Sequence, residues 1–87
     1  MYVILVYDVE SKKCGKMLKL CRQYLNWIQN SVFEGDITKV NLKRLIHEAE
    51  GIMDKTKDSL IIFNNKNTDW LNKRVIGYEK APLDQFL

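Results

Sequence analysis

The N-terminal segment constrains the fold more than any other part of this chain. Residues 2–7, Tyr-Val-Ile-Leu-Val-Tyr, form a continuous run of aliphatic and aromatic side chains that ends at Asp8. An uninterrupted apolar run predicts a central strand covered on both faces, because a half-exposed strand would alternate with polar residues. We therefore expect a sheet built around residues 2–7, with Asp8 at the end of its middle strand.

The next segment predicts an amphipathic helix with a basic side. From Ser11 to about Asn26, apolar residues recur at spacings of three and four; they are Met17, Leu20, Cys21, Tyr24 and Leu25. No acidic residue occurs between Glu10 and Glu34, whereas the same stretch contains the cations Lys12, Lys13, Lys16, Lys19 and Arg22. At 100° per residue, four of these project opposite the apolar face; they are Lys12, Lys16, Lys19 and Arg22. This charge asymmetry indicates a polyanionic partner.

The rest of the chain completes a βαββαβ order. Residues 27–37 predict two short strands joined at Asn30 and Ser31, which tolerate a tight turn. Thr38 predicts the N-cap of a second helix. The core face of that helix would consist of Leu42, Leu45, Ile46, Ala49 and either Ile52 or Met53. Residues 59–63 predict a buried strand, residues 64–69 a polar loop and residues 74–78 a last short strand. Right-handed crossovers convert this order into an α/β (α+β) ferredoxin-like sandwich with an extra C-terminal strand.

Length and composition fit one small domain in the cytoplasm. The chain has 87 residues, 46% of them hydrophobic and 29% charged, and a net charge of +3, which is ordinary for a globular domain. No run approaches the roughly 20 apolar residues that span a bilayer, and the N-terminus has no basic leader or cleavage site, so we expect a cytoplasmic protein and no membrane partner. Cys14 and Cys21 would lie about 10 Å apart along one helix, too far for a disulfide. With His47 distant in sequence, they predict no zinc site.

A second copy of the chain is expected on one face of the sheet. Both helices would cover the same face, yet residues 2–7 are apolar on both alternating sides. A partner protomer related by a two-fold axis is the simplest cover for the other face. Apolar residues Leu83, Phe86 and Leu87 follow Pro82 near the C-terminus. We therefore divide the chain into a ferredoxin-like domain, residues 1–78, and a tail, residues 79–87, that pairs with the partner protomer.

Three features together resemble the CRISPR-associated protein 2 family, the small subunit of the spacer-acquisition machinery. They are the Tyr-Asp that ends the first strand, the basic first helix, and the Ser-Val-Phe-Glu-Gly segment at residues 31–35. The resemblance covers nearly the whole chain. It implies a ferredoxin-like homodimer that binds nucleic acid and sits between copies of the larger integrase subunit, CRISPR-associated protein 1. Many family members are also described as metal-dependent endonucleases acting on RNA or duplex DNA.

The resemblance gives Asp8 the central role. It implies that the two Asp8 side chains of the dimer face each other and share a magnesium ion, an ion that accepts one or two carboxylates together with water and phosphate oxygens. Ser31 would orient a water or a phosphate. Phosphate contacts would come from Lys12, Lys13, Lys16, Lys19 and Arg22. Relatives often have arginines at the start of the first helix, and the lysines here lack the bidentate fork of arginine.

Plainer interpretations remain open at this site. Aspartate is common just past a strand as a turn-forming or capping residue, and Phe33 fits a core aromatic. One aspartate per protomer makes a thin site, and the only other polar candidates are Tyr7, Glu10, Ser31 and Glu34. The resemblance thus implies a metal-dependent endonuclease in antiviral defence. The alternative is a non-catalytic adaptor that binds duplex DNA between copies of the integrase subunit. A regulatory ligand-binding domain is a third possibility, because ferredoxin-like folds host many functions, but the sequence has no pocket signature for it.

Overall fold

The apolar N-terminal run forms the middle strand of a five-stranded antiparallel sheet. The computed structural model describes residues 1–66 and 69–79. The strands are β1 (Tyr2–Asp8), β2 (Asn26–Gln29), β3 (Val32–Asp36), β4 (Ser59–Lys66) and β5 (Asp69–Gly77), in the sheet order β2-β3-β1-β4-β5. All neighbouring strands pair antiparallel. The first four strands have the order of a ferredoxin-like sandwich, and β5 is the extra strand, which confirms the predicted fold class.

The first helix, α1 (Ser11–Arg22), ends before the predicted boundary near Asn26. The backbone N–H groups of Tyr24 and Leu25 both donate to the Cys21 carbonyl, at 3.1 and 2.9 Å. Leu25 is buried as expected, but it lies in the turn that leads into β2, and Asn26 already pairs with Glu34. The prediction was wrong because the apolar spacing continues through the turn after the helix.

The second helix, α2 (Lys39–Ile52), begins where the sequence predicts. The Thr38 hydroxyl accepts a hydrogen bond from the Asn41 N–H at 3.1 Å, which satisfies one of the free donors of the first turn. The predicted core residues are buried; they are Leu42, Leu45, Ile46, Ala49 and, just past the helix, Met53.

The two hairpins differ in how well the sequence predicts them. The chain reverses between β2 and β3 at Asn30, whose φ of +46° is a left-handed conformation that asparagine tolerates. In contrast, residues 64–66 and 69 do not form the predicted polar loop. β4 continues to Lys66 and pairs with β5, and Asn64 lies opposite Asn72. Backbone pairing lengthens these strands, and polar side chains do not prevent it.

The core lies between the two helices and one face of the sheet. Val3, Leu5 and Tyr7 of β1 belong to the buried cluster, together with residues of α1 and α2. The alternate residues of β1 face the other way and are only partly buried. Cys14 and Cys21 are free thiols. Neither helix is long and apolar enough to span a membrane within the ranges that the structure describes. Residues 80–87 lie outside these ranges, so the pairing of the tail with a partner stays a prediction.

Candidate carboxylate site and nucleic-acid interface

Asp8 is exposed at the last position of the middle strand. It lies opposite Ser59 in the pairing of β1 with β4. Side chains alternate across a strand, so Asp8 lies on the same face as Ile4 and Val6 and away from the helices. The candidate carboxylate therefore belongs to the face of the sheet that carries no helix.

That face, which we call the open face, is apolar at its centre and charged at its two sides, at Glu34 and Lys73. Its partly buried apolar residues are Ile4, Val6, Val32, Ile61, Phe63 and Val75. They adjoin one another across four strands, because Val6 pairs with Val32 and Ile61 while Ile61 also pairs with Val75. No helix of the described chain covers them. A contiguous apolar surface of this kind is typical of an interaction face, and Asp8 borders it.

The structure does not bring Ser31 to the same side of the sheet as Asp8. The Tyr7 N–H donates to the Ser31 carbonyl at 3.2 Å, and both residues line an open cleft of about 430 Å³ beside α1. The buried Tyr7 hydroxyl donates to the Cys14 carbonyl at 3.5 Å. Two of the polar residues considered as assistants of Asp8 therefore belong to the helix side.

Asp58, a carboxylate that the sequence analysis did not single out, accepts a hydrogen bond from the backbone that follows Asp8. Asp58 is only 1% exposed. Its Oδ1 accepts from the Glu10 N–H at 3.2 Å, and its Oδ2 accepts from the Asp54 N–H at 2.8 Å and from Lys13 Nζ at 2.7 Å. Burial by itself would raise the pKa of Asp58, but hydrogen bonds from Asp54, Lys13 and Glu10 outweigh burial and lower that pKa. One carboxylate thus joins the β1–α1 junction to the α2–β4 junction.

The backbone of Asp58 closes the same junction from the side of β5. Its carbonyl accepts from the Tyr78 N–H at 2.9 Å. Gly77 has a φ of +95°, and a Cβ at this position would lie 2.3 Å from that carbonyl oxygen. Only glycine fits such a close approach. No local sequence pattern links Asp58 to Glu10, 48 residues earlier, which is why sequence reasoning missed it.

Lys13 belongs to this junction and is set apart from the other predicted phosphate contacts. Its ammonium lies 2.7 Å from Asp58 and 3.1 Å from Glu10, and its side chain is 18% exposed. The hydrogen bond to Asp58 is the main cause of the raised pKa of Lys13. Helix geometry holds a signal for this position, because Lys13 is four residues before Met17 and hence about 40° from it around the axis.

The remaining cations form a basic stripe, which we define as Lys12, Lys16, Lys19 and Arg22. All four side chains are exposed. Lys12 reaches Glu10 only at 4.0 Å, and Lys16 and Lys19 have no ion-pair partner among the side chains of residues 1–65 and 73–79. The Arg22 guanidinium lies over the ring of Trp27, 5.9 Å from its centroid. The stripe is therefore largely uncompensated positive charge.

Asp8 alone supplies only part of the ligand shell that a magnesium ion requires. Within the described ranges, no group of three or more His, Cys, Asp or Glu side chains could hold a metal ion. Magnesium needs only one or two carboxylates when water and substrate phosphate oxygens complete its shell. The exposed Asp8 carboxylate can provide one such ligand, and its position beside the open face allows a second chain to provide another.

The fold and these surfaces define a class of protein. It is a small α/β protein, a ferredoxin-like sandwich with an extra strand, which carries an exposed aspartate beside an apolar face and a basic stripe on its first helix. The chain belongs to the CRISPR-associated Cas2 family, because the family model described as CRISPR associated protein Cas2 matches residues 1–73. The resemblance inferred from the sequence is thereby confirmed.

Relatives and solved structures agree with this assignment. A protein of Dictyoglomus turgidum named CRISPR-associated endoribonuclease Cas2 is 41% identical over 87 residues and is matched over the full length of both chains. A protein of the same name from Methanothermobacter thermautotrophicus is 38% identical, with 99% of this chain and 94% of the relative covered. A Cas2 crystal structure with 40% identity has a TM-score of 0.71, covering 95% of this chain and 93% of the other. The crystal structure of Streptococcus pyogenes Cas2, which is 30% identical, has a TM-score of 0.70 and covers 80% of this chain and 90% of the other.

Proposed function

We propose that this chain is a homodimeric, magnesium-dependent endonuclease of CRISPR spacer acquisition, which cleaves RNA or duplex DNA in the cytoplasm. The observation that carries the proposal is the position of Asp8, exposed at the end of the middle strand beside the open face. A second copy related by a two-fold axis would cover that face and bring a second Asp8 to the same side. The name endoribonuclease, carried by relatives up to 41% identical, supports nuclease chemistry.

Each part of the site has a separate task in this proposal. The two Asp8 carboxylates would hold one magnesium ion, which supplies Lewis-acid activation of water and neutralises charge at the scissile phosphate. The basic stripe attracts the phosphate backbone and reads no bases, so binding is largely independent of sequence. We assign Lys13 no phosphate contact, because two carboxylates already hold its ammonium. We assign Ser31 no step at Asp8, because it lies on the helix side of the sheet.

A cleavage assay on the Asp8→Asn variant tests the proposal, and the Asp36→Asn variant is the matched control. Asp36 is an exposed aspartate at the end of β3 and pairs with Tyr2 at the opposite end of the sheet from Asp8. Cleavage of single-stranded RNA and of duplex DNA is measured across magnesium concentration and pH. We expect Asp8→Asn to lose about 100-fold or more in rate, because the metal loses its carboxylates, while Asp36→Asn cleaves like the wild type. A folded Asp8→Asn dimer with the wild-type rate would contradict the proposal.

A second pair of variants tests whether cleavage requires two chains. Ile61→Lys places a charge in the middle of the open face, whereas Val40→Lys places one at an exposed position of α2. Light scattering should show that Ile61→Lys halves the molecular mass, and cleavage should fall with it, while Val40→Lys changes neither. Cleavage by a monomeric wild-type protein would contradict the proposal that two chains share the site.

A second function, that of an adaptor, is favoured by the thinness of the site. Asp8 is a single carboxylate per chain, and Ser31 and Tyr7 lie on the other face. As an adaptor, the dimer would hold captured duplex DNA and bridge copies of CRISPR-associated protein 1. Spacer acquisition in cells separates the two functions. The adaptor requires that Asp8→Asn acquires spacers normally while joint replacement of Lys12, Lys16 and Lys19 by Glu abolishes acquisition, and the opposite pattern would exclude it.

A further inference from the structure

We propose that Trp27 and Arg22 form a stacking site for one unpaired nucleobase at the end of the basic stripe. The inference rests on the proposed handling of nucleic acid and deepens it, because it names single-stranded RNA or DNA as the preferred form. Such a site would add affinity only where a base is free to leave its neighbours.

Trp27 lies on the same side of the sheet as α1. It is on β2, an edge strand, and pairs with Phe33 of β3. Directly opposed side chains of an antiparallel pair lie on one face, and Phe33 is fully buried in the core beneath the helices. Trp27 itself is 49% exposed. A large aromatic ring is therefore half open to solvent at the edge of the sheet, beside the C-terminal end of α1.

The ring is held in one orientation before any ligand binds. Its Nε1–H donates to the Asn30 carbonyl at 2.9 Å, and the Arg22 guanidinium lies over the ring at 5.9 Å. Asn30 is itself fixed by the turn between β2 and β3. Because the polar edge of the indole is satisfied and the side chain is already ordered, stacking a base costs little additional conformational entropy.

Charge identifies the ligand. Arg22 is the last residue of α1 and the end of the basic stripe, and no acidic residue occurs between Glu10 and Glu34. Sites for single strands combine a cationic track for the phosphates with aromatic rings on which bases stack. A duplex offers the stripe its phosphates but keeps its bases paired, so the ring would add nothing to duplex affinity. An apolar protein surface would fit Trp27 but would bury Arg22 without an anion, at a cost in desolvation.

Equilibrium binding in EDTA tests the site without cleavage. The probes are fluorescein-labelled oligouridylate, oligothymidylate and a blunt duplex of matched length. We expect Trp27→Leu to weaken binding of the single strands about tenfold and to leave duplex binding unchanged, while Trp27→Phe keeps most of the affinity. Val40→Ala removes another exposed apolar side chain and should change nothing. The two single strands show whether the site accepts RNA, DNA or both.

Intrinsic fluorescence gives a second measurement that does not depend on how well Trp27→Leu folds. The chain has two tryptophans, so Trp70→Phe leaves Trp27 as the only indole. Titration with either single strand should quench this emission, and the duplex should not. Three results would overturn the inference: unchanged single-strand affinity in a folded Trp27→Leu, equal weakening for single strands and duplex, or no quenching at saturation. A wild type that binds but does not cleave would contradict the nuclease proposal alone.

Discussion

Lys12 and Lys13 are neighbours on one helix, yet they serve different parts of the molecule. The Lys12 side chain is 77% exposed and reaches Glu10 only at 4.0 Å, whereas the Lys13 side chain is 18% exposed and bonded to the buried Asp58. The difference comes from position around the helix axis, because successive residues are separated by 100°. Residue type alone would have assigned both to the nucleic acid.

The two sides of α1 should therefore respond differently to the same chemical change. Ion pairs that are exposed contribute little to stability, because solvent screens them. A buried charge that loses its partner is costly. Loss of charge on the junction side should damage the fold, and loss of charge on the basic stripe should damage binding.

The largest expected effect is on stability, from Asp58→Asn. The asparagine amide cannot neutralise the Lys13 ammonium, and its NH2 group is a donor where the carboxylate accepts. We therefore expect the free energy of unfolding, measured by urea denaturation, to fall by about 3 kcal/mol. Combining Asp58→Asn with Lys13→Met should recover part of this loss, because no unpaired charge remains buried.

Glu10→Gln serves as the control for that measurement. Glu10 contacts the same ammonium at 3.1 Å, but its side chain is 36% exposed. Its removal should leave the denaturation midpoint close to that of the wild type. If Asp58→Asn were as stable as Glu10→Gln, the buried and the exposed carboxylate partners of Lys13 would not differ in the way described.

A smaller effect, on binding alone, is expected from replacing Lys12, Lys16 and Lys19 with Glu. Affinity for duplex DNA falls as salt rises, with a slope of log affinity against log salt of roughly −0.9 per phosphate contact. If each lysine neutralises one phosphate, this slope should become less steep by about 2.7. The denaturation midpoint should stay near the wild-type value. Lys13→Met should show the reverse, with lower stability and an unchanged salt slope, and a matching slope change in both variants would erase the distinction.

The smallest effect is a dependence of stability on pH. The pKa of Asp58 is lowered on folding, so this carboxylate stabilises the fold above its unfolded pKa of about 3.9, and the stabilisation is lost as the pH falls through the folded-state pKa. The stability difference between wild type and Asp58→Asn should therefore be constant near neutral pH and should shrink in acid. A difference that grows in acid would mean that folding raises the pKa of Asp58.

Local patterns predicted most of the fold, and pairings distant in sequence account for what they missed. The strand at residues 2–7, the Thr38 cap and the turn at Asn30 depend on neighbouring residues, and the structure confirms them. The end of α1 and the strand character of residues 64–66 depend on pairing with β3 and β5. Spacing cannot report that pairing.

At the candidate site, too, local patterns predicted some features, and pairing between distant segments determined the others. Asp8 is found from the end of an apolar run, and its face follows from alternation along that strand. The side on which Ser31 lies depends on how β1 and β3 pair. The role of Lys13 depends on Asp58, 45 residues away. Sequence thus located the carboxylate but not the residues that hold its surroundings.

The contact between Asp58 and Glu10 also has a consequence for the order in which the chain folds. α1 begins at an N-cap, Glu10, that makes no side-chain capping bond, and its first turn has no acidic residue. Asp58, 48 residues later, instead accepts from the backbone N–H of Glu10 itself, so this donor at the start of α1 is satisfied only after the α2–β4 junction has been synthesised and has docked. Closing so long a loop is entropically costly, and we expect the Glu10 amide to exchange its hydrogen only when the whole domain opens.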